Sequence, residues 1–345
     1  MNNIIWDYID EQPTVITKLL AFDWKSIRGK IEMQTIQKII ITASGSSLNT
    51  AVILKPYFEE NFDIDIQIVD PFELRFYSKQ LTKESKEILL IGISQTGKSI
   101  GTLECIELAN KHNIYTIALS ADKDSSIAKC ARFHQDILCG EESVGPKTKG
   151  VSSTTIALHL LLCSLLEDTK IIKVMNEYTK SAQFIPEVVR KTKKWCESNK
   201  HWAQANSISV VGFGVNDGVA REGALKILET MQISVMNYPV EEFMHGPHRT
   251  IVEGSKLILI DTNDIGSIFM KNLITFAKSK TKDVLLLSNV EMDASVVVDK
   301  FSITSSWLLF MVVFQVLCSY FPQLNGVNPS NPIYGDFAKN AGTRL

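Results

Sequence analysis

Lys38-Ile39-Ile40-Ile41-Thr42-Ala43-Ser44-Gly45-Ser46-Ser47 joins a β-branched run to a Gly/Ser turn, and a helical pattern follows through Leu54. A short apolar run closed by turn residues reads as a strand. Working outward, DIQIV (65–69), EILLIGI (87–93) and IYTIAL (114–119) are further strands. Helical segments fall at 98–112 and, strongly apolar, at 151–167. Strands separated by helices imply parallel βαβ units, because a parallel neighbour needs a crossover connection.

The pattern then returns. SISVVGFG (207–214) matches KIIITASG (38–45), KLILID (256–261) matches EILLIG (87–92) after a one-residue adjustment, and DVLLLS (283–288) matches YTIALS (115–120). The offset is the same to within one residue, 169 from Gly45 to Gly214 and 168 from Ser120 to Ser288. Strand order, spacing and type agree, which predicts a duplicated α/β domain. The expected organisation is a leading helical segment (1–35), a first domain (36–167), a helical linker (168–205), a second domain (206–324) and an Asn/Pro/Gly-rich tail (325–345). Ile4, Ile5, Tyr8 and Ile9 mark the leading helix, with a break expected at Pro13. The fold class is α/β: two tandem domains, each a parallel sheet flanked by helices in three αβα layers.

Composition narrows the function. The 345 residues are 45% apolar and 21% charged, which excludes disorder, collagen and coiled coil as the main class. Net charge is −2, so no basic excess supports a nucleic-acid partner. Cys105, Cys130, Cys139, Cys163, Cys196 and Cys318 form no CxxC pair and read as reduced thiols. The N-terminus lacks the basic and apolar regions of a signal peptide. WLLFMVVFQVLCSYF (307–321) carries Gln315 and reads as a buried helix, not a membrane span. The expectation is a cytoplasmic protein with no membrane partner.

Two hydroxyl-rich turns stand between strand and helix: Ser44-Gly45-Ser46-Ser47 and Ser94-Gln95-Thr96-Gly97-Lys98-Ser99. Helix N-termini at strand ends offer free N–H groups and a positive dipole, and hydroxyls add donors. Ordinary N-capping explains one such turn; two together favour a phosphate monoester. No Walker A loop is present. Gly212, Gly214 and Gly218 are spaced GxGxxxG, and no acid closes ISVMNY (233–238), which excludes a nicotinamide site. No cofactor is expected. Glu222, Lys226 and Glu229 share one helix face. From the helix alone they read as a solvated ion-pair stripe. His245 precedes Gly246-Pro247 and so sits in a turn. Glu241, Glu242, His245 and His248 lack helical ligand spacing across that break, so no metal is expected.

ASGSS (43–47), ISQTGKS (93–99), REGALKILE (221–229), EFMHGP (242–247) and FAK (337–339) together resemble the double-SIS (sugar isomerase) phosphosugar family. The chain is similar to the isomerase half of glucosamine-6-phosphate synthase and to stand-alone sugar-phosphate deaminases and fructosamine-6-phosphate deglycases. The resemblance implies that Ser46, Ser47, Ser94, Gln95, Thr96 and Ser99 bind the substrate phosphate. It implies that Glu229 moves the proton between sugar C1 and C2, with Lys226 as companion. It implies that His245 assists ring opening, that Lys339 forms an imine with the ketose, and that a homodimer or dimer of dimers shares the site. Residue 2 is Asn and the first cysteine is Cys105, so no glutaminase activity is expected. Lys98 stands where the synthases have an acid, and the 143–150 loop differs from theirs in length. Lys98, Lys147 and Lys149 can meet an anionic amino-acid moiety or be solvated. The implied activity is isomerisation of an amino-sugar or ketosamine 6-phosphate with amine release. A simple phosphosugar isomerase and a non-catalytic sugar-phosphate regulator are the alternatives.

Overall fold

A computed structural model describes residues 3–27, 29–290, 295–298, 301–331 and 333–345. Helix α1 (Ile5–Leu20) buries Ile5, Tyr8, Ile9, Ile16 and Leu19. The break expected at Pro13 does not occur. A proline inside a helix removes the N–H owed to the carbonyl four residues back. Here that carbonyl, Ile9 O, accepts instead from Gln12 Nε2 at 3.3 Å, so the helix continues.

The isoleucine-rich run forms β1 (Lys38–Thr42), buried from Ile39 onward, and Gly45 turns the chain into α2 (Ser46–Asn61). Then come β2 (Asp65–Val69), α3 (Pro71–Phe76), β3 (Ile88–Ile93), α4 (Ile100–Lys111), β4 (Tyr115–Ser120), α5 (Ser126–Cys130) and β5 (Phe133–Asp136). All strand pairs are parallel, in the order β2-β1-β3-β4-β5. Helix α3 starts cleanly because Asp70 accepts from the N–H groups of Phe72 and Glu73 and Pro71 fills the first helical position. Helix α6 (Lys149–Leu166) is buried along almost its whole length.

The second half follows α7 (Ile171–Ser198) with β6 (Ser207–Gly212), α8 (Val215–Met231), β7 (Ser234–Pro239), α9 (Val240–Met244), β8 (Lys256–Asp261), α10 (Ser267–Lys278), β9 (Val284–Ser288) and β10 (Val296–Val297). Its order, β7-β6-β8-β9-β10 read from one edge, is the permutation of the first sheet. The duplication is therefore one of topology as well as sequence. Helix α11 (Ile303–Leu324) packs on α8, and Gly223 is what lets it approach: a Cβ there would lie 2.5 Å from the Phe314 ring. Lys149–Leu166 and Ser305–Leu324 are long and apolar enough to cross a bilayer, yet 94% and 83% of them are buried inside the protein. Gln315, the polar residue in this apolar helix, accepts from Gln12 Nε2 at 2.8 Å and donates to Thr148 O at 3.3 Å. A short helix, α12 (Phe337–Asn340), lies in the tail.

The chain divides into two compact units. One comprises Thr14–Ser143, Lys149–Asn176 and Pro332–Leu345 and carries the first sheet; the other comprises Met1–Pro13, Val144–Thr148 and Glu177–Asn331 and carries the second.

Candidate functional site

In the first unit the chain leaves β1 toward β2 on one side, and leaves β3 toward β4 on the other. Such a reversal between adjacent strands opens a crevice beyond their C-terminal ends, where open α/β sheets bind ligands. Both hydroxyl-rich turns lie there, since Thr42 pairs with Gly92. Gly45 takes φ 58° and ψ −134°, a backbone that disfavours any side chain. Ser46 and Ser47 then open α2, where first-turn N–H groups have no intrahelical acceptor. Among the described residues, the hydroxyls of Ser46, Ser47 and Thr96 make no hydrogen bond. They are donors available to a ligand.

The other predicted phosphate residues also make contacts inside the protein. Ser94 is buried and its Oγ accepts from Ser99 N at 3.4 Å, while Ser99 Oγ accepts from Thr102 Oγ1 at 3.1 Å. Both hydroxyls accept in these contacts, and each keeps its own O–H as a donor. Gly97 N donates to Ser94 O at 2.9 Å, and Gly97 has φ 67° with Ser125 so close that a Cβ would lie 2.1 Å from it. The Gln95 amide faces inward, donating from Nε2 to Glu142 Oε2 at 2.8 Å. Glu142 drew no notice in the sequence, where nothing separates it from its neighbour Glu141; in the structure Glu142 is buried and Glu141 exposed. Lys98 is exposed, whereas Lys149 is buried, so of the three loop lysines this one is not solvated. The end of the chain lies along the same turn: Ile100 N donates to Thr343 O and Leu345 N to Lys98 O. Lys339 is exposed on α12.

In the second unit the REGALKILE helix is α8. Its charged face is not a solvated stripe, because α11 covers it. Glu222 is fully buried, Lys226 has 3% of its side chain exposed, and their closest approach is 3.5 Å. Lys226 Nζ donates to Glu229 Oε2 at 2.5 Å, and Glu229 retains 33% exposure. Burial alone pulls the Lys226 ammonium down, but Glu222 and Glu229 together outweigh it, and the net shift is upward. Lys226 is thus held as a cation between one sealed carboxylate and one accessible carboxylate. Only Glu229 has the exposure to touch a substrate.

His245 follows α9 at the start of the Gly-Pro turn and is exposed. Its Nδ1 lies 2.8 Å from the Glu241 carbonyl oxygen. A carbonyl only accepts, so Nδ1 donates in this contact, and whenever the ring is neutral its lone pair is on Nε2. That is the tautomer suited to taking up a proton.

The SIS domain family signature matches residues 32–164 and 201–297, one match for each sheet. The chain belongs to the SIS domain family. Its two parallel sheets are two tandem SIS domains. This SIS chain is 23% identical over 312 residues to glutamine–fructose-6-phosphate aminotransferase (isomerizing) of Thermotoga maritima, covering 87% of this chain and 51% of the relative. It therefore spans about half the length of that relative. A solved structure from Clostridium difficile 630, provisionally assigned as a phosphosugar isomerase, superposes with a TM-score of 0.90 at 27% identity and covers 99% of both chains. Glucosamine-6-phosphate deaminase of Thermotoga maritima shares the fold, with a TM-score of 0.76 at 20% identity over 96% of this chain and 97% of that one.

Proposed function

We propose that this SIS chain is a phosphosugar isomerase-type enzyme that acts on an amino-sugar or ketosamine 6-phosphate and releases the amine. The observation that carries the reading is the set of unengaged hydroxyls on Ser46, Ser47 and Thr96 at the first switch point. They suit an anion with three acceptor oxygens, and the α2 N-terminus favours its charge. The phosphate then supplies remote binding energy that holds an open-chain sugar in place.

The acid–base groups fit the second requirement. His245 Nε2 takes and returns the proton of ring opening. Glu229 takes the proton from the carbon next to the carbonyl and returns it to the former carbonyl carbon. The neighbouring Lys226 ammonium offsets the negative charge of the enediol-like intermediate. When the first carbon bears an amine, the same shift turns its C–N single bond into C=N. Water adds to that carbon, the C–N bond breaks, and the amine leaves with the proton. Lys339 is the tail amine for condensation with a ketose carbonyl. The family resemblance supports a homodimer or dimer of dimers, and six free cysteines fit a reducing cytoplasm.

The test is product analysis by mass spectrometry with glucosamine 6-phosphate, a fructosyl-amine 6-phosphate and fructose 6-phosphate as separate substrates. Free amine from either of the first two is the expected result. Conversion of fructose 6-phosphate alone assigns a simple isomerase, and binding without turnover of any of the three assigns a regulator.

A further inference from the structure

Glu142 is buried and lies between the phosphate turn and the start of α6. Its Oε2 accepts from Gln95 Nε2 at 2.8 Å and from Gly150 N at 3.1 Å. Gly150 is the second residue of α6, so its N–H belongs to the first turn, which has no acceptor inside the helix. One carboxylate oxygen thereby joins a helix N-terminus to a side chain of the turn. The fit is also steric. The Gln95 amide lies directly over Gly150, where an added Cβ would meet Nε2 at 2.0 Å, Cδ at 2.3 Å and Oε1 at 2.4 Å. No other residue type leaves room for the amide.

An ionised carboxylate only accepts, so the contact fixes which end of the amide faces Glu142. The Gln95 nitrogen is committed to this strut and not aimed at a phosphate. What Gln95 offers the turn is mechanical: its backbone carbonyl accepts from Ala121 N at 2.9 Å while its side chain is anchored at α6. Residue 95 is thereby fixed from both sides, and Thr96, with its unengaged hydroxyl, follows it directly.

We propose that Glu142 is a positioning residue: acting through the Gln95 amide seated on Gly150, it holds residues 94–99 in the shape that presents Thr96 to a phosphate. The proposal rests on the phosphosugar reading for its ligand but not for its geometry, and the test separates the two. Deuterium uptake of the ligand-free full chain is followed in peptides spanning 94–99 for Glu142→Ala, Glu142→Gln, Gly150→Ala and the double alanine variant.

Uptake at 94–99 rises in both single alanine variants, and the double variant goes no further because both remove one strut. Glu142→Gln keeps a side-chain carbonyl acceptor and stays close to the native protein. Binding of glucosamine 6-phosphate, measured in the same samples, weakens about tenfold in the alanine variants, equivalent to ~1.4 kcal/mol. Uptake at 94–99 that is unchanged in Glu142→Ala, or raised equally across the whole chain, overturns the proposal. Should Gly150→Ala fail to fold, Glu142→Ala and its Gln rescue decide the matter. If uptake responds as stated while the native chain binds no sugar 6-phosphate, the phosphosugar reading fails and the strut stands.

Discussion

At the end of β1, Gly45 (φ 58°, ψ −134°) turns the chain into α2; at the end of β6, Gly214 (φ 56°, ψ −129°) turns it into α8 in the same way. The two switch points have one backbone and different contents. In the first, Ser46 and Ser47 open the helix and Thr96 lies in the turn after the adjacent strand β3, with all three hydroxyls unengaged among the described residues. In the second, Val215 and Asn216 hold the matching helix positions, and Thr262 and Asp264 the matching strand-end positions. These close on one another: Asn216 Nδ2 donates to Thr262 Oγ1 at 3.1 Å, and Thr262 Oγ1 donates to Asp264 Oδ2 at 3.2 Å. Asp264 also places a carboxylate oxygen 4.0 Å from the Cβ position of Gly214. Under the proposed function, the duplicated scaffold carries an anion site once, and the other copy gives its helix, α8, to acid–base chemistry.

The largest expected effect separates the roles on α8. Glu229→Gln keeps the shape and the hydrogen bond to Lys226 but removes the base, so turnover falls by roughly 10²–10⁴-fold while phosphosugar affinity is kept. Steady-state kinetics with solvent deuterium incorporation checks this; incorporation that survives in Glu229→Gln moves the base elsewhere. Glu222→Ala acts on stability. It leaves Lys226 buried with a single carboxylate partner, and removing one member of a buried ionic cluster costs about 3–5 kcal/mol. Urea denaturation reads this directly, and a change under ~1 kcal/mol would mean that Glu222 is not part of the cluster's support.

The smallest effect is a pH dependence. The Lys226 pKa is raised in the folded chain, so its contribution to stability is fully present below the ordinary lysine value of about 10.5. It is lost as pH climbs from there through the folded value. The native chain therefore loses stability above about pH 10.5 more steeply than Lys226→Met. Parallel alkaline unfolding curves for the two would remove Lys226 as the cause.

Much of this was legible in the sequence, for identifiable reasons. The strands β1, β3, β4, β6, β8 and β9 are apolar runs with turn residues behind them, and their constant offset exposed the duplication. β5 was not read, because FHQD is polar and lies at a sheet edge, and β10 has two residues. Pro13 misled because the compensating donor, the Gln12 side chain, leaves no periodic trace. The charged face of α8 looked solvated because what covers it, α11, comes some 80 residues later, and no local pattern records that contact. The hydroxyls of the first turns were visible, but which of them already accept hydrogen bonds depends on contacts made only in the fold. Glu142 and Glu141 are chemically identical neighbours, and only burial tells them apart.

The contrast between the two switch points is tested most directly by titration calorimetry with glucosamine 6-phosphate. The protein is compared with its Ser47→Ala/Thr96→Val and Asn216→Ala variants, with unphosphorylated glucosamine as control ligand. Each hydrogen bond to a charged group is worth about 1.5–3 kcal/mol. The account predicts that the hydroxyl-depleted variant loses at least about tenfold in affinity. Asn216→Ala should bind as the native chain does, and glucosamine without its phosphate should not bind. Equal affinity in the native and hydroxyl-depleted chains, or a loss confined to Asn216→Ala, would contradict it.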